Sequence, residues 1–145
     1  MQKEVKMITK KIIVDQSYYN DKVKRLGEVI RAGGLVAFPT ETVYGLGGNA
    51  LDKEAAKKIY MAKGRPSDNP LIVHIADMEH LGRITKQIPK EAYKLAEHFW
   101  PGPLTMILPK SDEVPTQTTG GLDTVAVRMP SHPVAMAFIK EAGGY

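Results

Sequence analysis

The sequence predicts an α/β domain, with a mixed, twisted β-sheet and flanking helices. Two observations carry this. Short β-prone runs alternate along the chain with segments whose apolar residues recur at helical spacing. Glycine and proline mark most of the junctions between them. A length of 145 residues suits one domain spanning 1–145 and is too short for two.

The elements follow in order. Residues 11–15 are a short β-prone run. Residues 20–32 read as a helix with Val23, Leu26, Val29 and Ile30 on its inner face, and Gly33-Gly34 supplies the stop. Residues 35–38 are a buried strand, ended by Pro39, which opens a loop through Gly48. Asp52 is the N-cap of a helix over 53–62 that buries Ala55, Ala56, Ile59 and either Tyr60 or Ala62. Pro66 and Pro70 forbid helix through 63–70, so that segment is a loop. Residues 71–75 form a strand, and Asp77 caps a short helix. Pro89 suits the first turn of a helix reaching Phe99, with Ala92, Leu95, Ala96 and Phe99 inward. Trp100-Pro101-Gly102-Pro103 is a hard turn, with Trp100 and Phe99 in core or turn packing. Strands follow at 104–108 and 125–129, joined by a long loop rich in Thr and Gly. A last helix runs from Pro133 to about Ala142, stopped by Gly143-Gly144. A strand is the next element expected in such an alternation, so the spacing predicts a domain cut short.

Composition narrows the chemistry. Without cysteine there is neither a disulfide nor a thiolate metal site, which fits a cytoplasmic protein. His80, His98 and His132 show no metal-ligand spacing, so no protein-held metal site is expected. No apolar run approaches the ~18 residues that a membrane span needs. A formal charge of +4 favours anionic partners such as nucleotides, phosphates or RNA, and competes with the simpler reading of a lysine-rich solubilising surface.

Four segments could carry chemistry. Residues 39–48 follow a buried strand, where α/β proteins place ligand loops; they offer the hydroxyls of Thr40 and Thr42, the carboxylate of Glu41 and three glycines. A turn whose threonines bond their own backbone is the structural alternative. Lys63 and Arg65 could grip phosphate oxygens, Arg in bidentate fashion and Lys as a mobile point charge. They follow a helix C-terminus, whose dipole repels phosphate, so the side chains alone would do this, and simple capping of that helix competes. His74 emerges from the same loop. Arg128 lies in a β-prone run and must reach solvent or a buried anion, such as a substrate carboxylate. No Gly-x-Ser-x-Gly elbow and no carboxylate pair stands out.

Five collinear stretches resemble one family. They are Pro39-Thr40-Glu41-Thr42-Val43-Tyr44-Gly45-Leu46-Gly47, Lys63-Gly64-Arg65-Pro66, Asp68-Asn69-Pro70-Leu71, Trp100-Pro101-Gly102-Pro103-Leu104-Thr105 and the run from Gly121 to Pro130. Together they are similar to the YrdC-like L-threonylcarbamoyladenylate synthases. The resemblance implies a YrdC-like twisted sheet around a positively charged cleft. It implies an enzyme that makes L-threonylcarbamoyl-AMP and pyrophosphate from L-threonine, bicarbonate or CO₂, and ATP. The product would serve threonylcarbamoyladenosine formation at tRNA position 37, through downstream threonylcarbamoyl-transferase proteins. Lys63 and Arg65 match the family's Lys-x-Arg element and would hold the triphosphate as the catalytic cations, with Ser67, Asn69 and Thr124 also on the ATP. Thr40, His74 and Arg128 match the threonine-side positions, Arg128 on the carboxylate, and Tyr44 would line the pocket. Mg²⁺ would accompany ATP, bound chiefly by phosphate oxygens. The family's Ser-x-Asn nucleotide element lies beyond Tyr145, so the resemblance too implies an incomplete domain. Two other readings stay open: a non-catalytic module binding tRNA or double-stranded RNA, and the carbamoyl-transfer domain of hydrogenase-maturation proteins.

Overall fold

The structure, a computed structural model, describes residues 8–15 and 19–145. Among the described residues, five helices and five strands are interspersed as an α/β chain. Helix α1 (Tyr19–Arg31) is followed by strands β1 (Val36–Phe38) and β2 (Gly45–Gly47), helix α2 (Lys53–Lys63) and strand β3 (Ile72–His74). Helices α3 (Met78–Ile84) and α4 (Lys90–Phe99), strands β4 (Thr105–Pro109) and β5 (Thr124–Arg128), and helix α5 (Pro133–Glu141) complete it. Among the described residues the strands form two sheets: an antiparallel β1–β2 pair, and a mixed sheet β3-β5-β4 in which β5 runs parallel to β3 and antiparallel to β4. Residues 11–15, expected as a β-prone run, join neither sheet.

The helix ends form where their residues dictate. Asp52 and Asp77 each accept the backbone N–H two residues on, at 2.9 Å, and so satisfy one of the free donors that open α2 and α3. Gly64 closes α2 at φ 61°, a left-handed conformation that costs glycine nothing. The prolines at 66 and 70 then keep the chain in a loop up to β3.

Strand β2 lies inside what the sequence predicts to be an open loop. It lacks β-branched residues, but its glycines let it pass beneath an aromatic ring: a Cβ on Gly47 would come 2.8 Å from Phe38 Cε1. Two faces also differ from expectation. Val29 is 40% exposed on α1, while Gly27 is buried there, because α5 crosses so closely that a Cβ at Gly27 would sit 2.6 Å from Glu141. On α4 the small Ala92 and Ala96 are buried, and Leu95 and Phe99 are turned outward. Trp100 is in the core as expected, with its indole N–H donating to the Leu104 carbonyl at 2.7 Å.

Two apolar clusters result. One joins the inner face of the three-stranded sheet (Val73, Met106, Leu108, Val125, Val127) to α3, α4 and Trp100. The other joins α1 and α5 to β1 through Val23, Ile30, Phe38, Phe138 and Ile139. The cavity between them is where the candidate site lies.

Candidate functional site

The cavity has a volume of about 290 Å³. Its walls are apolar side chains from both clusters, among them Ile30, Phe38, Val73 and Phe138, and its floor includes the backbone of Gly45, Gly47 and Gly48. The charged or titratable side chains that border it include Lys63, Arg65 and His74, with Tyr145 also in the lining. An apolar hollow with a few convergent polar groups is the usual form of a small-molecule site. Lys63 and Arg65 are exposed beside the αL cap of α2, where the helix ends in carbonyls rather than N–H groups. Backbone hydrogen bonds from Gly64 and Arg65 satisfy the Met61 and Tyr60 carbonyls at the end of the helix.

His74 ends β3 and Arg128 ends β5, and the parallel register sets the two directly side by side. Strand neighbours lie about 4.8 Å apart in the hydrogen-bonding direction. Both sit on the sheet face opposite the buried Val73 and Val127. The carboxyl ends of parallel strands are where α/β sheets hold ligands. The His74 ring meets Phe38 edge-on at 5.7 Å. Burial first, and the Arg128 charge second, push its pKa down from 6.5 to about 4. The imidazole is therefore neutral at pH 7, with one ring nitrogen able to accept a hydrogen bond.

Arg128 is held from two sides. Its Nε–H donates to the Gly102 carbonyl at 3.3 Å, which gives the Trp-Pro-Gly-Pro turn a positioning role. Its terminal nitrogen is bonded to Glu41 Oε1 and lies 3.4 Å from Thr42 Oγ1. The other Glu41 oxygen accepts the Ser131 backbone N–H at 3.0 Å. The Glu41 backbone is exposed, yet its side chain is only 20% exposed and that of Arg128 11%. Partial burial pushes the Glu41 carboxyl up, but the Arg128 hydrogen bond, backbone donors and the Arg128 charge outweigh it and hold the pKa at about 2.

The remaining expected site residues are spread more widely. Thr40 Oγ1 donates to the Val43 carbonyl at 2.6 Å and accepts the Thr42 N–H at 3.3 Å, so in this state it shapes its own loop. Thr42 Oγ1, 3.1 Å away, links it to Arg128. Tyr44, expected to line the pocket, is 75% exposed and is not among the residues that line this cavity. Ser67 borders a separate polar depression with Lys57, Tyr60 and Gln117. Asn69 is exposed, and its N–H closes a turn onto the Pro66 carbonyl at 3.2 Å. Thr124 begins β5 and Arg128 ends it, so ~13 Å of strand separates them. Sequence reasoning named Glu41 and Thr42 in a candidate ligand loop without giving either a role, and missed the Ser131 N–H. The available signal was a lone carboxylate in a ligand loop and a lone arginine in a strand.

The comparisons with known proteins agree with this architecture. The Sua5/YciO/YrdC family, described as "Telomere recombination", matches residues 28–145. The chain belongs to that family. It is 62% identical over 119 residues to a threonylcarbamoyl-AMP synthase of Pyrococcus abyssi, covering 82% of this chain and 35% of that protein. It is 53% identical over 133 residues to the threonylcarbamoyl-AMP synthase of Bacillus subtilis, covering 90% of this chain and 38% of that one. The crystal structure of P. abyssi Sua5 complexed with L-threonine superposes with a TM-score of 0.85 at 59% identity, over 86% of this chain and 37% of that one. The chain thus spans little more than a third of the length of these relatives.

Proposed function

We propose that the chain provides the threonine- and ATP-binding half-sites of an L-threonylcarbamoyl-AMP synthase. One observation carries the reading. Lys63 and Arg65 border the same cavity as His74, whose strand neighbour Arg128 already holds a carboxylate. The names of the relatives, and the threonine seated in the P. abyssi structure, support the choice of amino acid.

The reaction joins two anions. The threonine amine takes up CO₂ to become a carbamate, a carbamate oxygen attacks the α-phosphorus of ATP, and pyrophosphate leaves. Such a site must screen repulsion and stabilise the leaving group. Lys63 and Arg65 would do so from the cavity mouth, holding the β- and γ-phosphates. Arg128 would take the threonine carboxylate. Neutral His74 would hydrogen-bond the amino acid without adding charge, and Thr40 would reach it from the 39–44 loop. No side chain serves as a covalent nucleophile, so positioning and electrostatics supply the rate.

The cations at the mouth suit a metal whose charge is already balanced by phosphates. Mg²⁺ would therefore arrive on ATP and draw most of its ligands from the nucleotide and water. Among the described residues, no group of three or more His, Asp or Glu could hold an ion. The tRNA would be the final recipient of the threonylcarbamoyl group, through a separate transferase.

The experiment is pyrophosphate release. The reading requires release from ATP that depends on both L-threonine and bicarbonate. Release that persists when threonine is left out would refute it.

A further inference from the structure

Glu41 is a carboxylate already seated on the arginine that the proposed reaction needs for the carboxylate of threonine. Oε1 is bonded to the terminal nitrogen of Arg128, and Oε2 accepts the Ser131 N–H at 3.0 Å. A carboxylate with one oxygen on a strand-end guanidinium and the other on a backbone N–H is arranged as a bound α-carboxylate would be. The Nε–H of Arg128 donates to the Gly102 carbonyl at 3.3 Å.

We propose that Glu41 is a built-in stand-in for the substrate carboxylate, and that an incoming amino acid displaces it from Arg128 and the Ser131 N–H. This rests on the assignment of Arg128 to the amino acid. Exchange is favoured over sharing because two carboxylates at one set of donors repel each other. The loop can make the move. Residues 41–44 are exposed, and the bonds of Thr40 to Thr42 and Val43 lie within the loop, so it can swing as a unit and return Glu41 to water.

The exchange keeps Arg128 neutralised in both states and makes the site select for a carboxylate. L-Threoninamide, which has the side chain and the amine but no carboxylate, could not displace Glu41. The internal competitor also lowers the affinity for threonine, so removing its charge should raise that affinity. A charge-assisted contact of this kind corresponds to about tenfold. Tighter binding after loss of a side-chain charge is a result that a merely structural role does not give.

The test is calorimetric titration of the wild-type chain, Glu41→Gln and Glu41→Ala with L-threonine and with L-threoninamide. Circular dichroism confirms that each variant folds, and Glu41→Gln carries the test if Glu41→Ala does not. The expected result is threonine binding about tenfold tighter in the variants, with the amide at least tenfold weaker than threonine on wild type. If wild type binds threonine and the variants bind it equally or more weakly, the proposal falls while the assignment of Arg128 stands. If neither wild type nor variants bind threonine, both fall.

Discussion

Lowering the pH should destabilise the folded chain through one side chain, His74. Its pKa is about 4 in the folded protein against 6.5 when unfolded. Between those values the unfolded chain holds more protons, so stability rises with pH across the window and is lost as pH falls from 6.5 toward 4. The full gap corresponds to ~3 kcal/mol, at about 1.4 kcal/mol per unit. Going only from pH 7 to pH 5 should remove about 2 kcal/mol of it. That interval isolates His74 from its neighbour, because the Glu41 carboxyl, at about 2 when folded against 4.5 unfolded, contributes a loss only below about pH 4.5. The assay is urea unfolding at pH 7 and pH 5, for wild type and for His74→Gln, which cannot titrate. Wild type should lose about 2 kcal/mol more than the variant over that interval. Equal losses would refute the buried, neutral imidazole, and with it the role of His74 as an uncharged partner for the amino acid.

Two further perturbations test the frame around the site. Gly27→Ala improves intrinsic helix propensity by about 1 kcal/mol, but its Cβ would meet the Glu141 backbone at 2.6 Å. Overpacking of that kind costs about 1–3 kcal/mol, so thermal unfolding should show a net loss of stability, whereas a gain would mean that α1 and α5 are less tightly crossed. Trp100→Phe removes the donor to the Leu104 carbonyl and should cost about 1 kcal/mol in urea unfolding. Threonine affinity should also fall in that variant, because the same turn carries the Gly102 carbonyl that holds Arg128; affinity equal to wild type would mean that the turn does not position the arginine.

Much of this fold is legible in the sequence, for identifiable reasons. Asp52, Gly64, Pro66 and Pro70 act locally, so the bounds of α2 and the loop after it follow from those residues alone. The same locality makes Lys63, Arg65 and His74 readable as one group, since one helix end, one loop and one strand carry all three. What was missed depends on distant partners. Strand β2 exists because glycines at 45 and 47 accommodate the Phe38 ring, a fact of pairing rather than of β-propensity. Leu95 and Phe99 have the right spacing for an inner face, but the packing of α4 favours the small Ala92 and Ala96 there. The Glu41–Arg128 pair joins residues 87 positions apart, and nothing local to either announces the other.

The central claim of the proposed function is a division of labour in which Lys63 and Arg65 would hold the nucleotide and Arg128 with His74 would hold the amino acid. Parallel titrations of ATP and L-threonine into wild type, Lys63→Ala and Arg128→Ala test it most directly. Loss of charge-assisted hydrogen bonds should weaken ATP binding to Lys63→Ala by roughly 10- to 100-fold and leave threonine within about twofold of wild type. Arg128→Ala should show the reverse. Equal weakening of both ligands by each variant would contradict the account.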